Sequence, residues 1–265
     1  MPPERPKDNW EGWPKWAGDE TFRSPRFNFS LSVSDFSGKT DMDSIALLKS
    51  KRLIVDMYGD LFRHNSIKSM FEIGFFQGGM PLFLADMNQL DKIVAVDRVA
   101  PTEKLRSLID REGLSDKIRL FGDVDQMDTD RMKSILDAEF KDTPLDLIID
   151  DCSHYLPQTK ACFEALFGYL RPGGKYIIED WGWTHWAGEP WQTDKSPFHG
   201  MESMTNLIFE LVMAMASDNL MISEVDIADR ACVVVTRGPA LPPKAPINLR
   251  AMTNMAGGRT DDKAH

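Results

Sequence analysis

From about residue 67 onward, short apolar runs alternate with stretches of helical spacing, and this alternation restricts the possible folds more than any other feature. The runs are Ser69 to Ile73, Ile93 to Val96, Ile118 to Phe121, Leu145 to Ile149, Tyr176 to Ile178, Met221 to Ile227 and Ala231 to Thr236. Apolar runs separated by helical segments are the signature of βαβ units, with a parallel sheet covered on both faces. Between the fourth and fifth runs, Phe163, Leu166, Phe167 and Leu170 recur at i, i+3, i+4 and i+7, and Arg171-Pro172-Gly173-Gly174 reads as the stop of that helix. A second apolar helix is expected through Leu207, Leu211 and Met215. Only Ala228, Asp229 and Arg230 separate the last two runs, too few for a parallel crossover, so these runs should form an antiparallel hairpin at the sheet edge. The expected fold is α/β: a seven-stranded, mostly parallel sheet with an antiparallel C-terminal hairpin, helices on both faces and an N-terminal arm.

Residues 1 to about 40 are rich in Pro, Trp, Ser and Asp without periodicity, which predicts an irregular arm. Met42 to Phe62 carries helix-like spacing through Ile45, Leu48, Leu53 and Met57. We therefore expect an arm and helix over 1–62, serving as a lid or oligomer contact, a sheet domain over 63–238, and a strap with a disordered tail over 239–265.

Composition narrows the function classes. The 265 residues include 31 Lys plus Arg against 41 Asp plus Glu, a formal charge of −10, so general attraction to nucleic-acid backbones or anionic membranes is not expected. Cys152, Cys162 and Cys232 show no CxxC spacing, so they suggest neither a disulfide framework nor a thiolate zinc site and read as packing residues in a reducing compartment. No apolar signal region or membrane-length run occurs, and a cytoplasmic location is the expectation.

The first strand leads into Glu72-Ile73-Gly74-Phe75-Phe76-Gln77-Gly78-Gly79. Glycines at a strand-to-helix turn permit positive φ and let a ligand approach the backbone. The spacing is E-x-G-x-x-x-G and not G-x-G-x-x-G, and an acidic residue there would repel a pyrophosphate, which disfavours a nicotinamide dinucleotide. It would suit a ligand bearing an ammonium group and a sulfonium. Asp97, closing the second strand, is placed to accept the hydroxyls of a ribose. In strand count and order the chain resembles the Rossmann-like class I S-adenosylmethionine-dependent methyltransferases. That resemblance implies a cofactor site at Glu72, Gly74, Gly78, Asp97 and Asp150, with Asp123 of Gly122-Asp123 near the adenine. Phe75 and Phe76 depart from the small residues usual in this loop.

The most specific stretch is Leu147-Ile148-Ile149-Asp150-Asp151-Cys152-Ser153-His154, followed by Pro172-Gly173-Gly174-Lys175-Tyr176-Ile177-Ile178-Glu179-Asp180. Two strands thus end in acidic pairs, at the carboxyl edge where open α/β folds bind ligands. Like charges ~4 Å apart repel by about 4 kcal/mol at an effective dielectric of 20, so converging carboxylates call for a proton or a cation. Oxygen donors select a hard ion such as Mg²⁺. Asp151, Glu179 and Asp180 are the expected metal ligands. His154, three residues beyond Asp151, suits a general base, because an unperturbed imidazole titrates near ~6.5. This pair of motifs resembles the macrolide-sugar and rhamnosyl O-methyltransferases and their cephalosporin hydroxylase-like relatives over roughly 67 to 236. The resemblance implies Mg²⁺ on Asp151, Glu179 and Asp180 and a catalytic His154. Cys152 stands where Gly is common in that family. A similar metal edge occurs in catechol-type methyltransferases, which keeps an aromatic diol as the alternative acceptor.

All seven Trp fall in two clusters, Trp10, Trp13 and Trp16, and Trp181, Trp183, Trp186 and Trp191. The second follows Asp180 directly and is expected either to form an acceptor wall through Trp181, Trp183, His185 and Trp186 or to pack as a lid. His199 is a further candidate for orienting the acceptor. Taken together, the chain reads as an Mg²⁺- and S-adenosylmethionine-dependent O-methyltransferase of a glycosylated natural product, expected to form a homo-oligomer. A cofactor-binding protein without turnover is the competing class, and the complete set of acids and histidine argues against it.

Overall fold

The computed structural model describes residues 14–32, 40–87, 90–141, 143–188, 191–217, 220–229 and 231–252. Trp10, Trp13, Arg230 and, of the expected strap and tail over 239–265, residues 253–265 lie outside these residues. Two compact units, Met1–Ser153 and His154–His265, make up the chain.

The first unit begins with strands where an irregular arm was expected. β1 (Lys15–Trp16), β2 (Thr21–Arg23), β3 (Asn28–Leu31) and β4 (Ile45–Leu47) form a small sheet in that order. β1–β2 and β2–β3 are antiparallel and β3–β4 is parallel. Phe27, Phe29 and Leu31 are buried while Asn28 and Ser30 are exposed, the period-2 alternation of a half-covered strand. Phe22 and Phe29 stack with centroids 4.7 Å apart and planes 10° apart. Both make T-shaped contacts with Phe83 on α2 (Gly79–Met87), with centroids 5.3 and 5.6 Å away.

The expected helix over Met42–Phe62 is also corrected. Ile45, Ala46 and Leu47 pair with Phe29, Ser30 and Leu31, and helix starts only at residue 51. It passes through a π-helical stretch, Leu53–Tyr58, into α1 (Gly59–His64). Ile45 and Leu48 match a helical period by coincidence; a ladder to β3 and burial of Ile45 and Leu47 override it.

The remaining elements of this unit are β5 (Ser69–Ile73), β6 (Lys92–Val96), α3 (Glu103–Arg111), β7 (Ile118–Phe121), α4 (Thr129–Phe140) and β8 (Leu145–Asp150). β5 pairs in parallel with both β6 and β8, and β6 in parallel with β7. β5 and β8 are buried at every position, as strands covered on both faces must be.

In the second unit, α5 (Leu156–Leu166) runs through a 3₁₀ turn, Phe167–Tyr169, into β9 (Leu170–Glu179). Strand therefore begins six residues before Tyr176, and Arg171-Pro172-Gly173-Gly174 lies inside it. The 3₁₀ turn ends the helix instead. α6 (Thr205–Ala216), β10 (Ile222–Asp229), β11 (Cys232–Arg237) and α7 (Leu249–Met252) follow. β10 and β11 form the expected antiparallel hairpin, and β11 pairs antiparallel with Lys175–Glu179 of β9.

The large sheet has seven strands in the order β10-β11-β9-β8-β5-β6-β7, mostly parallel with the antiparallel hairpin at one end. Strand order reverses at β5, whose successors β6 and β7 extend one way while β8 lies on its other side. That makes the carboxyl ends of β5 and β8 a topological switch point, the place where open α/β sheets bind ligands.

Candidate functional site

At the switch point the backbone is packed too tightly for side chains. Gly74 donates its N–H to the Val96 carbonyl at 2.8 Å, and the Asp151 N–H reaches the Ile73 carbonyl at 2.9 Å. Gly74 has φ +94°, and a Cβ there would stand 2.2 Å from the Asp151 carbonyl oxygen. Only glycine satisfies both demands. Gly78 has φ +77° and closes the turn by donating to the Phe75 carbonyl at 2.7 Å. Glu72 is wholly buried within β5, one residue before its end.

The next two strand ends complete this half. Asp97 accepts the Phe76 N–H at 2.8 Å on one oxygen and the Val99 N–H at 2.9 Å on the other, which orients the carboxylate while each oxygen retains a second lone pair for a hydroxyl. Val124 N–H donates to the Asp97 carbonyl at 3.1 Å, tying the loop after β7 to the end of β6. In that loop Asp123 is exposed at φ +57°. Phe75 is buried, whereas Phe76 is 40% exposed, so one of the two unexpected aromatics presents its ring to solvent beside Asp97.

At the end of β8, two residues not singled out from the sequence hold the acids. Gln126 donates from Nε2 to Asp150 Oδ1 at 2.9 Å, and its Oε1 accepts from the Ser153 N–H at 3.2 Å and the Ser153 hydroxyl at 2.5 Å. It clamps both sides of the D-D-C-S turn. Lys49 places its ammonium on the Asp151 carboxylate. Burial, and then the negative charge of Asp150, Asp97 and Asp151, pushes the Cys152 thiol far above its ordinary range, so it has no thiolate chemistry near neutrality.

In the second unit, His154 and Asp180 each offer a ligand atom, and these lie within 4.8 Å of one another. Both residues adopt positive φ, +57° and +51°. The Trp183 indole N–H donates to the His154 carbonyl at 2.9 Å, and the Asp180 N–H donates to the Ala231 carbonyl at 2.6 Å. Glu179 is the last residue of β9, buried opposite Cys232. The Trp-rich segment folds on itself: Trp183 stacks on Phe198 at 4.3 Å and 21°, Trp191 stacks on the same ring at 5.7 Å, Tyr155 meets its edge at 5.5 Å, and Trp186 meets Trp191 edge-on at 4.7 Å. Trp183 is 3% exposed, so its faces are taken by packing, while Trp181 and Trp186 are half-buried. His185 is exposed and bonded through Nε2 to the Thr205 hydroxyl at 2.7 Å; His199 is exposed.

Residues 71–181 match the family model described as a methyltransferase domain. Over these residues the chain resembles a methyltransferase domain. Among curated proteins it is similar to mycinamicin VI 2''-O-methyltransferase of Micromonospora griseorubida, 41% identical over 70 residues, 24% of this chain and 18% of that one. It is also 37% identical over 62 residues to 8-demethyl-8-alpha-L-rhamnosyl tetracenomycin-C 2'-O-methyltransferase of Streptomyces olivaceus, 23% of this chain and 16% of that one. Among solved structures, the MycE methyltransferase of the mycinamycin biosynthetic pathway, in complex with Mg, SAH and mycinamycin VI, superposes with a TM-score of 0.51 at 25% identity, covering 69% of this chain and 49% of that one. A putative caffeoyl-CoA O-methyltransferase from Staphylococcus aureus shares the fold, with a TM-score of 0.51 at 14% identity over 72% of this chain and 85% of that one. The aligned part thus spans about half of the MycE chain and under a fifth of the two curated relatives.

The methyltransferase domain match opens one residue before Glu72 and closes at Trp181. It takes in every residue expected to hold the cofactor or a metal, as well as His154. Lys49, Trp183, His185 and Trp186 lie outside it. Gln126 falls inside, but a lone buried amide carries no pattern that sequence reading could use. Lys49 was hidden because its segment read as helix.

Proposed function

We propose that the methyltransferase domain transfers a methyl group from S-adenosylmethionine to a sugar hydroxyl of a glycosylated natural product, with Mg²⁺ as cofactor. The observation that carries this reading is the approach of His154 and Asp180, whose ligand atoms lie within 4.8 Å of one another and whose backbones are both left-handed, in a chain whose 71–181 segment matches a methyltransferase domain. Support for the glycoside comes from the relatives, one of which is named for a rhamnosyl substrate. Support for Mg²⁺ comes from the MycE complex and from the chemistry of the donors. Asp151, Glu179 and Asp180 supply carboxylate oxygens, the donor type that a hard divalent ion prefers. Asp151 precedes His154 by three residues, so chain connectivity alone keeps their Cα atoms within about 11 Å.

In this reading the residues divide the work. Gly74 and Gly78 open the turn after β5 to the cofactor, Asp97 receives the ribose hydroxyls, and Asp123 borders the adenine. Asp151, Glu179 and Asp180 would hold Mg²⁺, which when bound makes the acceptor hydroxyl more acidic. His154 takes the proton from that hydroxyl as the O–C bond forms and the C–S bond breaks. S-adenosylhomocysteine leaves, and the proton passes from His154 to solvent. The protein contributes chiefly by holding oxygen, carbon and sulfur in line.

The test is transfer of labelled methyl to a panel of glycosides and catechols, alongside calorimetry with S-adenosylhomocysteine and NAD. Labelled glycosides and S-adenosylhomocysteine binding are expected. Labelling confined to catechols would replace the acceptor class, and NAD binding without a response to S-adenosylhomocysteine would overturn the cofactor assignment.

A further inference from the structure

Lys49 lies two residues beyond β4, and its side chain is 4% exposed, with the ammonium on the Asp151 carboxylate, itself 20% exposed. Its position comes from the small sheet: β4 is laddered to β3, and the Lys49 N–H turns back to the Leu47 carbonyl at 2.9 Å. A buried ammonium persists only beside an opposite charge, and a carboxylate at a crowded acidic strand end needs a cation as much as the lysine needs an anion. Asp151 is also a residue we assign to Mg²⁺, and the inference rests on that reading. A divalent ion bound to Asp151 would share one carboxylate with an ammonium at contact distance. Two cations so placed repel strongly where water is scarce.

We propose that Lys49 is a resident counter-ion that competes with the metal for Asp151, so that metal loading is an exchange of one cation for another. Without metal, the ammonium neutralises Asp151 and keeps the strand end folded. When metal arrives, Lys49 gives up the carboxylate. This competition weakens metal affinity, and the position of β4 thereby becomes a determinant of loading.

Mn²⁺ titration followed by electron paramagnetic resonance of the free ion tests this on the full chain without reference to turnover. Lys49→Met should bind Mn²⁺ about tenfold more tightly than wild type or better, because the competing charge is gone, whereas Lys49→Arg, which keeps the charge, should not. Equal or weaker binding by Lys49→Met overturns the proposal. Binding by neither wild type nor Lys49→Met overturns the metal reading and the proposal with it, a pattern distinct from equal affinity. A thermal shift with S-adenosylhomocysteine checks that the variant folds. If it does not fold, acylation of Lys49 in the wild-type protein is read by mass spectrometry with and without saturating Mg²⁺. Mg²⁺ should raise labelling at Lys49 relative to the other lysines, and unchanged labelling counts against the exchange.

Discussion

His154 and Asp180 sit at positive φ without being glycines, a backbone choice that costs on the order of 1–3 kcal/mol each and persists only where the surroundings enforce it. For His154 one such contact is the indole N–H of Trp183 on its carbonyl. Trp183→Phe keeps a ring to stack on Phe198 but removes the donor, so kcat should fall about tenfold while S-adenosylhomocysteine affinity by calorimetry stays unchanged. His154→Ala, which removes the base itself, should lower kcat by roughly 10²–10⁴-fold with the same unchanged cofactor affinity. If His154→Ala turns over like wild type, the base is another group. Cys152 gives a prediction of opposite kind. Its thiol is pushed upward by burial and by its acidic neighbours, so the reactive thiolate is absent from neutral through mildly alkaline pH. Iodoacetamide should therefore leave Cys152 unlabelled at pH 8 in the folded protein and label it after denaturation, as read by peptide mass spectrometry.

At the scale of elements, the chain was legible where patterns are long and opaque where they are short. β5, β6 and β8 announce themselves as apolar runs, because a strand covered on both faces must be apolar at nearly every position. β3 shows its alternation only over Phe27, Phe29 and Leu31, too few residues to separate from chance among Pro and Ser. β4 was misread because three residues cannot declare a ladder whose partner lies 16 positions away, at Phe29 opposite Ile45. What holds these short strands is packing, and Phe83 is its centre: it lies in T-shaped contact with both rings of the Phe22–Phe29 stack and is fully buried. Phe83→Ala should cost about 3–5 kcal/mol in chemical denaturation. By contrast, Thr102, which caps α3 by accepting the Leu105 N–H at 3.2 Å, should cost only about 1 kcal/mol when changed to Ala.

For the whole molecule, part of the charge of −10 falls in Asp150, Asp151, Glu179 and Asp180, at the ends of β8 and β9. Methyl transfer should stop in excess EDTA and return with added Mg²⁺; full activity under chelation would remove the metal from the reaction. The strands of the large sheet, its terminal hairpin, the glycine turn at Gly74 and the acids that end β8 and β9 are all readable in one dimension, because each depends on local pattern or on neighbours in the chain. Gln126 on Asp150, Lys49 on Asp151 and Trp183 under His154 are not. Each joins residues 24, 102 and 29 positions apart, and a lone Gln, Lys or Trp means nothing until folding places it against its partner. Amino-acid order thus determined which chemical groups the strand ends would carry. Tertiary contacts decided which other groups hold them in place, because such a contact depends on distance in space, which the order of residues does not contain.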